Sequence, residues 1–197
     1  MYDYRRMTPE ERQAVVRERH ARGFPWHAPP HFRRVSGDYL ITAACFEHRP
    51  IFAEPPDLSW FLDETMRAFT EAELPCFAWV FLPNHYHALV HTEDMTILSE
   101  AVRLLHSRVA TDINGRHSQR GRRVWYRFSD RFIRSERHHW ATVNYIHYNP
   151  VKHGYVDRMT AWPWSSVHEY VEDRGKDEGL SVWRDYPVGD YGRGWDW

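Results

Sequence analysis

The order of elements legible in this 197-residue sequence, β-α-β-β-α-β followed by one more helix, predicts an α+β fold. The fold expected is an antiparallel sheet with its helices packed on one face. Three observations carry that reading. Short runs rich in aromatic and β-branched residues recur over 39–46, 76–81, 85–91 and within 124–134. Two longer segments, 57–71 and 97–114, space their apolar residues for one helix face. Leu82-Pro83-Asn84 marks a turn between the middle two strands, which read as a hairpin.

Taken in order, residues 8–22 read as a charged helix with Thr8 as N-cap, Pro9 at the first position and Glu11 as capping-box partner. Residues 23–30 look extended. The first strand follows over 39–46, and Pro55-Pro56 interrupts the chain. The helix over 57–71 presents Leu58, Phe61, Leu62, Met66 and Phe69 as a stripe. After the hairpin, the helix over 97–114 aligns Leu98, Val102, Leu105, Val109 and Ile113, and Gly115 is expected to end it. A Gly/Arg loop leads to the fourth strand. Ser135-Glu136 then looks like the start of a helix that runs irregularly to Pro150 and leaves the sheet. This is a ferredoxin-like order. One domain over 36–170 is expected, with an N-terminal extension (1–35) and an acidic, Trp-containing tail (171–197) whose aromatics suggest docking on the body. No internal repeats occur.

Hydrophobic residues are 42% and aromatics 16% of the chain, enough for a packed core. No window approaches the roughly 20 apolar residues of a membrane span, and the charged N-terminus is unlike a signal peptide. Cys45 and Cys76 fall in or beside strands and read as reduced core residues, too few for a structural zinc site. The chain reads as cytoplasmic.

A net charge of −1 argues against a generic nucleic-acid binder, but the charge is segregated. Residues 103–139 hold ten Arg against three acidic residues, a net of +7, whereas residues 36–102 carry −9. Within the basic stretch Arg116, Arg120, Arg122, Arg123, Arg127, Arg131 and Arg134 interleave with Trp125, Tyr126, Phe128 and Phe132. Guanidinium forks match phosphate geometry, and aromatic faces stack on unpaired bases. The alternative is a solvated loop with a few buried rings.

Two motifs carry chemistry. His85 and His87 are two apart on a strand, so they project to one face while Tyr86 projects to the other. Two convergent imidazoles make half a site for Mn²⁺, Zn²⁺ or Fe²⁺, although a chain with 14 His also produces such pairs by chance. His91 reads as a spectator. About sixty residues later, Tyr145 and Asn149 lie four apart on one helix face, and Pro150 places Asn149 in the last turn. The ordinary reading of that segment is an amphipathic helix with partly buried tyrosines.

Leu82-Pro83-Asn84-His85-Tyr86-His87 followed by Tyr145-Ile146-His147-Tyr148-Asn149-Pro150-Val151-Lys152-His153-Gly154 resembles the single-tyrosine HUH transposases, and most closely the REP-associated tyrosine transposases. Tyr39-Leu40-Ile41-Thr42, Ser129-Asp130-Arg131-Phe132-Ile133-Arg134 and Trp162-Pro163-Trp164-Ser165-Ser166 agree, so the resemblance covers residues 36–170. It implies a ferredoxin-like sheet with the histidine strand at its centre. It further implies a metal held by His85, His87 and Asn149, and Tyr145 as the nucleophile, with Tyr148 as rival. His147 and His153 would then lie on the helix surface or touch substrate. The expected cofactor is Mg²⁺ or Mn²⁺, and the expected partner is single-stranded or hairpin DNA, met also by Lys152 and the arginines. A monomer is expected, with a dimer that exchanges helices as the variant. The activity implied is strand cleavage through a 5′-phosphotyrosine. The alternatives are a DNA-binding protein of this fold without turnover and a zinc hydrolase.

Overall fold

In the computed structural model, which describes residues 36–189, 191 and 192 and, before them, residues 8, 10, 11, 14 and 17, four antiparallel strands pair in the order β2-β3-β1-β4. They are β1 (Gly37–Ala44), β2 (Cys76–Leu82), β3 (His85–Thr92) and β4 (Ser129–Phe132). Helices α1 (Pro55–Glu71) and α2 (Met95–Arg116) connect them, so the β-α-β-β-α-β order stands and the histidine strand is interior to the sheet.

Each strand sorts its residues by parity. Ile41 pairs Ala88 and Phe81 pairs Tyr86, and this face packs on α1 and α2 as the main core. Phe52, Phe61, Phe81, Tyr86 and Trp125 pack there in stacked and edge-to-face pairs, with ring centroids 4.5–6.2 Å apart. Such aromatic pairs add ~0.5–1.5 kcal/mol each beyond the area they bury. The other face carries Leu40, Thr42, His85, His87 and Leu89.

That second face corrects one expectation. Helix α3 (Glu136–Lys152) does not leave the sheet; it folds back over β2 and β3 on the face opposite α1 and α2. The helices therefore lie on both faces. The reason is in the residues: Thr142 to His147, Asn149 and Pro150 are all buried, so α3 is covered nearly all round rather than along one stripe. That is why its apolar spacing looked irregular. Ser135 caps it, accepting from His138 N at 3.2 Å. Pro150 is accommodated inside the final turns, and the helix runs on to Lys152.

Two other boundaries differ. Pro55 and Pro56 do not interrupt the chain but start α1, where the missing N–H has no partner to lose. Helix α2 begins earlier than its stripe, because Asp94 accepts from Thr96 N at 2.8 Å, and it runs through Gly115.

Edge strand β2 is covered by residues 162–166. Phe81 N donates to Trp164 O, Ser166 N donates to Trp79 O, and Trp162 Nε1 donates to Phe81 O. Helices α4 (Val167–Arg174) and α5 (Lys176–Asp185) follow, and Asn144 of α3 donates to Val182 O and Tyr186 O. Thr8 and Glu11 exchange the reciprocal capping-box bonds expected of them. The rest of the N-terminal extension, with Trp195 and Trp197, lies outside the described residues. Among the described residues no helix is long and apolar enough to cross a membrane. Cys45 and Cys76 are free thiols, both pushed up to about 12 by burial.

Candidate active site

The polar face of β3 meets α3 at four side chains. His87 is fully buried; its Nδ1 lies 2.8 Å from Thr42 Oγ1, on the register partner of β1. This turns Nε2 toward α3, where it stands 3.4 Å from the Tyr145 hydroxyl. His85 Nδ1 is 2.7 Å from Asn84 Oδ1, and its Nε2 is 3.1 Å from Asn149 Oδ1. The two imidazole centroids are 5.2 Å apart. Strand alternation brings the rings together, and the i,i+4 spacing on α3 brings Tyr145 and Asn149 down onto them.

Hydrogen-bond roles test whether a metal fits. Asn84 Oδ1 can only accept, so His85 Nδ1 carries a proton, and in the neutral ring Nε2 presents a lone pair. That lone pair faces a second acceptor, Asn149 Oδ1, while Asn149 Nδ2 is buried with no hydrogen-bond partner among the described residues. Two acceptors facing each other suit a cation that both could hold. Ligands about 2.1 Å from an octahedral ion lie about 3.0 Å apart when adjacent, close to the separation here. Asn84 and Thr42 act as the outer partners that fix each ring. Among the described residues no three His, Cys, Asp or Glu side chains converge, and a cation here would meet two imidazoles and an amide.

Tyr145 is 1% exposed. Its ring meets His87 at 5.1 Å and Tyr191 at 5.6 Å between centroids, and Lys152 Nζ lies 5.1 Å from its centre. Lys152 also donates to Gly192 O at 3.2 Å. Gly192 has φ +76°, and a Cβ there would come within 2.1 Å of the Tyr145 ring, so only glycine permits this approach. Tyr191 ties the same segment down through Thr142 Oγ1 and His138 Nε2.

Tyr148 is 42% exposed and points away from this cluster, so it does not share the Tyr145 face. His147 departs from its expected surface position. It is fully buried, 3.1 Å from Ser166 Oγ, and burial pushes its imidazole down to about 3. His153 is exposed, with its ring 4.8 Å from that of His85.

The eight cations expected to meet DNA are used differently. Arg116 lies over Trp60, and Arg123 lies over Phe46 and donates to Trp125 O. Arg122 donates to Asn114 Oδ1 and reaches His117. Arg120, Arg127 and Arg134 are exposed at the surface. Lys152 borders the Tyr145 cluster. Register places Arg131 opposite Leu40, hence on the histidine face.

Sequence reasoning missed Thr42 and Asn84 as orienting groups, though both lie in the motif runs quoted for other reasons. It also missed Asp38, which takes His91 Nδ1 at 2.8 Å and His139 Nδ1 at 2.9 Å and so ties β1, β3 and α3 together. His91 is part of that anchor, raised by its bonds to Asp38 and Glu93. Only the register reveals it.

No protein-family model matches the chain. A Haemophilus influenzae protein assigned to the REP-associated tyrosine transposases is 30% identical over 117 residues, covering 51% of this chain and 66% of that protein. The REP-associated tyrosine transposase of Escherichia coli K12 is 32% identical over 96 residues, covering 48% and 54%. The matches thus span between half and two thirds of those relatives. A solved REP-associated tyrosine transposase bound to a REP hairpin has the same fold: TM-score 0.59 at 21% identity, over 74% of this chain and 86% of that one. The chain is a homologue of tyrosine transposases. More narrowly, its curated homologues are REP-associated tyrosine transposases, the group its two motifs resemble.

Proposed function

We propose that the protein cuts and rejoins single-stranded DNA at hairpin-forming repeats, with Tyr145 as nucleophile and His85, His87 and Asn149 holding Mg²⁺ or Mn²⁺. One observation carries this reading: within a single chain, a buried phenol, two oriented imidazoles and an amide converge on one face of the sheet. The solved relative's REP hairpin motivates the choice of substrate.

A phenol with pKa near ~10 is only about one-thousandth ionised at neutral pH, so the attack needs help. The bound ion would supply Lewis-acid polarisation of the scissile phosphate. Tyr145 Oη forms a bond to phosphorus as the bond to the 3′ oxygen breaks. The phenol loses a proton and the departing 3′ hydroxyl gains one. The products are a 5′-phosphotyrosine and a free 3′-OH, with the number of phosphodiester bonds unchanged, so the reverse attack rejoins strands without ATP. Thr42 and Asn84 hold the imidazoles in place. Because Tyr145 reaches the histidines of its own chain, the site needs no exchange of helices, and a monomer suffices.

The test is a labelled hairpin oligonucleotide incubated with Mn²⁺. A covalent adduct that survives denaturation, is lost in Tyr145→Phe and is kept in Tyr148→Phe supports the proposal; hairpin binding with no adduct supports the second reading, a DNA-binding protein without turnover. That second reading draws on the seating of Gly192 against the Tyr145 ring. Cleavage without an adduct would point to a hydrolase.

A further inference from the structure

Besides the proposed ligands, one cation stands against the Tyr145 ring and a second arrives on the same sheet face from another element, an arrangement that rests on more than sequence clustering. Lys152 is seven residues after Tyr145 on α3, so it returns to the same helix face, with Nζ 5.1 Å from the ring centre. Arg131 arrives from edge strand β4. The pairs Thr42–His87, Leu40–Leu89 and Leu40–Arg131 put Arg131 on the sheet face that carries the two histidines. It stands two ladder steps from β3, about 10 Å at the backbone. A long guanidinium chain together with a phosphate spans such a gap.

The electrostatics agree with that placement. Arg131 is exposed as a residue, and partial desolvation lowers its guanidinium while the phenols of Tyr191 and Tyr145 act in the opposite direction. His138 is lowered by burial and then by Arg131 and Arg134. The guanidinium is therefore near enough to His138, Tyr145 and Tyr191 for all three to register it. Of the seven arginines in the basic stretch, register puts Arg131 on this face, whereas Arg116, Arg122 and Arg123 serve contacts elsewhere in the fold.

We propose that Arg131 is a catalytic residue that grips the non-bridging oxygens of the scissile phosphate beside Tyr145, with Lys152 as the cation on the other side of the ring. The assignment rests on the strand-transfer reading above. The fork of Arg131 fixes the phosphate's orientation for in-line attack, and Lys152 offsets charge as a point cation. Both contacts strengthen as negative charge gathers on the phosphoryl oxygens, so they act on the rate more than on hairpin affinity.

The experiment compares Arg131→Gln, Arg131→Lys and, as an exposed basic control on α2, Arg103→Gln. Single-turnover adduct formation is measured at saturating hairpin with Mn²⁺, and hairpin affinity by fluorescence anisotropy. Arg131→Gln is expected to slow adduct formation at least about 100-fold while changing affinity less than about 5-fold. Arg131→Lys is expected to recover part of the rate, and Arg103→Gln to keep it. Wild-type rate at saturation in Arg131→Gln, with only affinity reduced, would overturn the proposal. If the wild-type protein forms no adduct, the transferase reading fails by itself. Phenylglyoxal labelling read by mass spectrometry then decides the phosphate contact alone: bound hairpin must shield Arg131, and labelling unaffected by hairpin overturns the contact.

Discussion

Two buried tyrosines in this protein each aim a hydroxyl at an imidazole Nε2, and their surroundings give them different work. Tyr86 lies on one face of the sheet, 3.0 Å from His106. Tyr145 lies over the other face, 3.4 Å from His87. Around Tyr86 stand Phe61, Phe81 and Trp125; burial drives its phenol far up and holds His106 at about 3. That pair is a neutral hydrogen bond that satisfies two polar atoms inside a core. Around Tyr145 stand a second imidazole, an amide with an unpaired nitrogen, Lys152 and Arg131. The difference shows that a Tyr–His contact is not a site in itself. Neighbouring charge and unfilled coordinating atoms make it one.

The largest expected effect breaks the comparison in half. Tyr145→Phe should lower covalent adduct formation by more than about 1,000-fold, since the nucleophile is lost and the ring is kept. Tyr86→Phe should keep adduct formation and cost about 1–3 kcal/mol of unfolding free energy, because His106 Nε2 is left buried without its donor. Denaturant melts and gel-resolved adducts read both. Equal loss of activity in the two variants would refute the division.

A smaller effect tests the outer partners. Thr42→Val keeps the shape but removes the group that orients His87. It should weaken Mn²⁺ binding about 10–100-fold by calorimetry, as loss of such partners does elsewhere. No comparable change is expected for a substitution at His106. Unaltered Mn²⁺ affinity in Thr42→Val would mean that packing alone orients the ring.

These contrasts also explain what was legible in the sequence. Tyr145 with Asn149, and His85 with His87, are pairs of short spacing, and local geometry determines which face each presents. The hairpin at Pro83-Asn84 and the Ser135 cap are local in the same sense. Helix α3's return across the sheet is not local. It follows from a helix buried nearly all round, covered by β2 and β3 on one side and by α4 and α5 on the other. His147 is buried for that reason, although the motif alone made it look like a surface residue. The arginine stretch likewise reads as one basic patch, but Trp60, Asn114 and Phe46, far apart in the chain, draw three of its members into the fold.

The segment against Tyr145 has no counterpart at Tyr86. In Gly192→Ala the new methyl would collide with the Tyr145 ring, and φ +76° adds backbone strain. Residues 191–192 must then shift, and Tyr145 should become more accessible. Tetranitromethane labelling of Tyr145 is expected to rise several-fold, with labelling of Tyr86 unchanged. Equal labelling of Tyr145 in both proteins would show that the segment does not shield it.

The smallest effect concerns stability rather than chemistry and belongs to the Tyr86 face alone. His106 is held at about 3 by burial, against about 6.5 in an unfolded chain. Its contribution is complete above pH 6.5. Below that the unfolded chain takes up a proton the folded protein refuses, so stability falls by about 1.4 kcal/mol per pH unit until roughly pH 3. His106→Gln removes this proton and should flatten the slope of unfolding free energy between pH 6 and pH 4.5 by about that amount. Measuring the difference between the two proteins cancels the carboxylates, which titrate in both. An unchanged slope would mean that His106 is protonated in the folded core, and the Tyr86 hydroxyl would then have to be its acceptor rather than its donor.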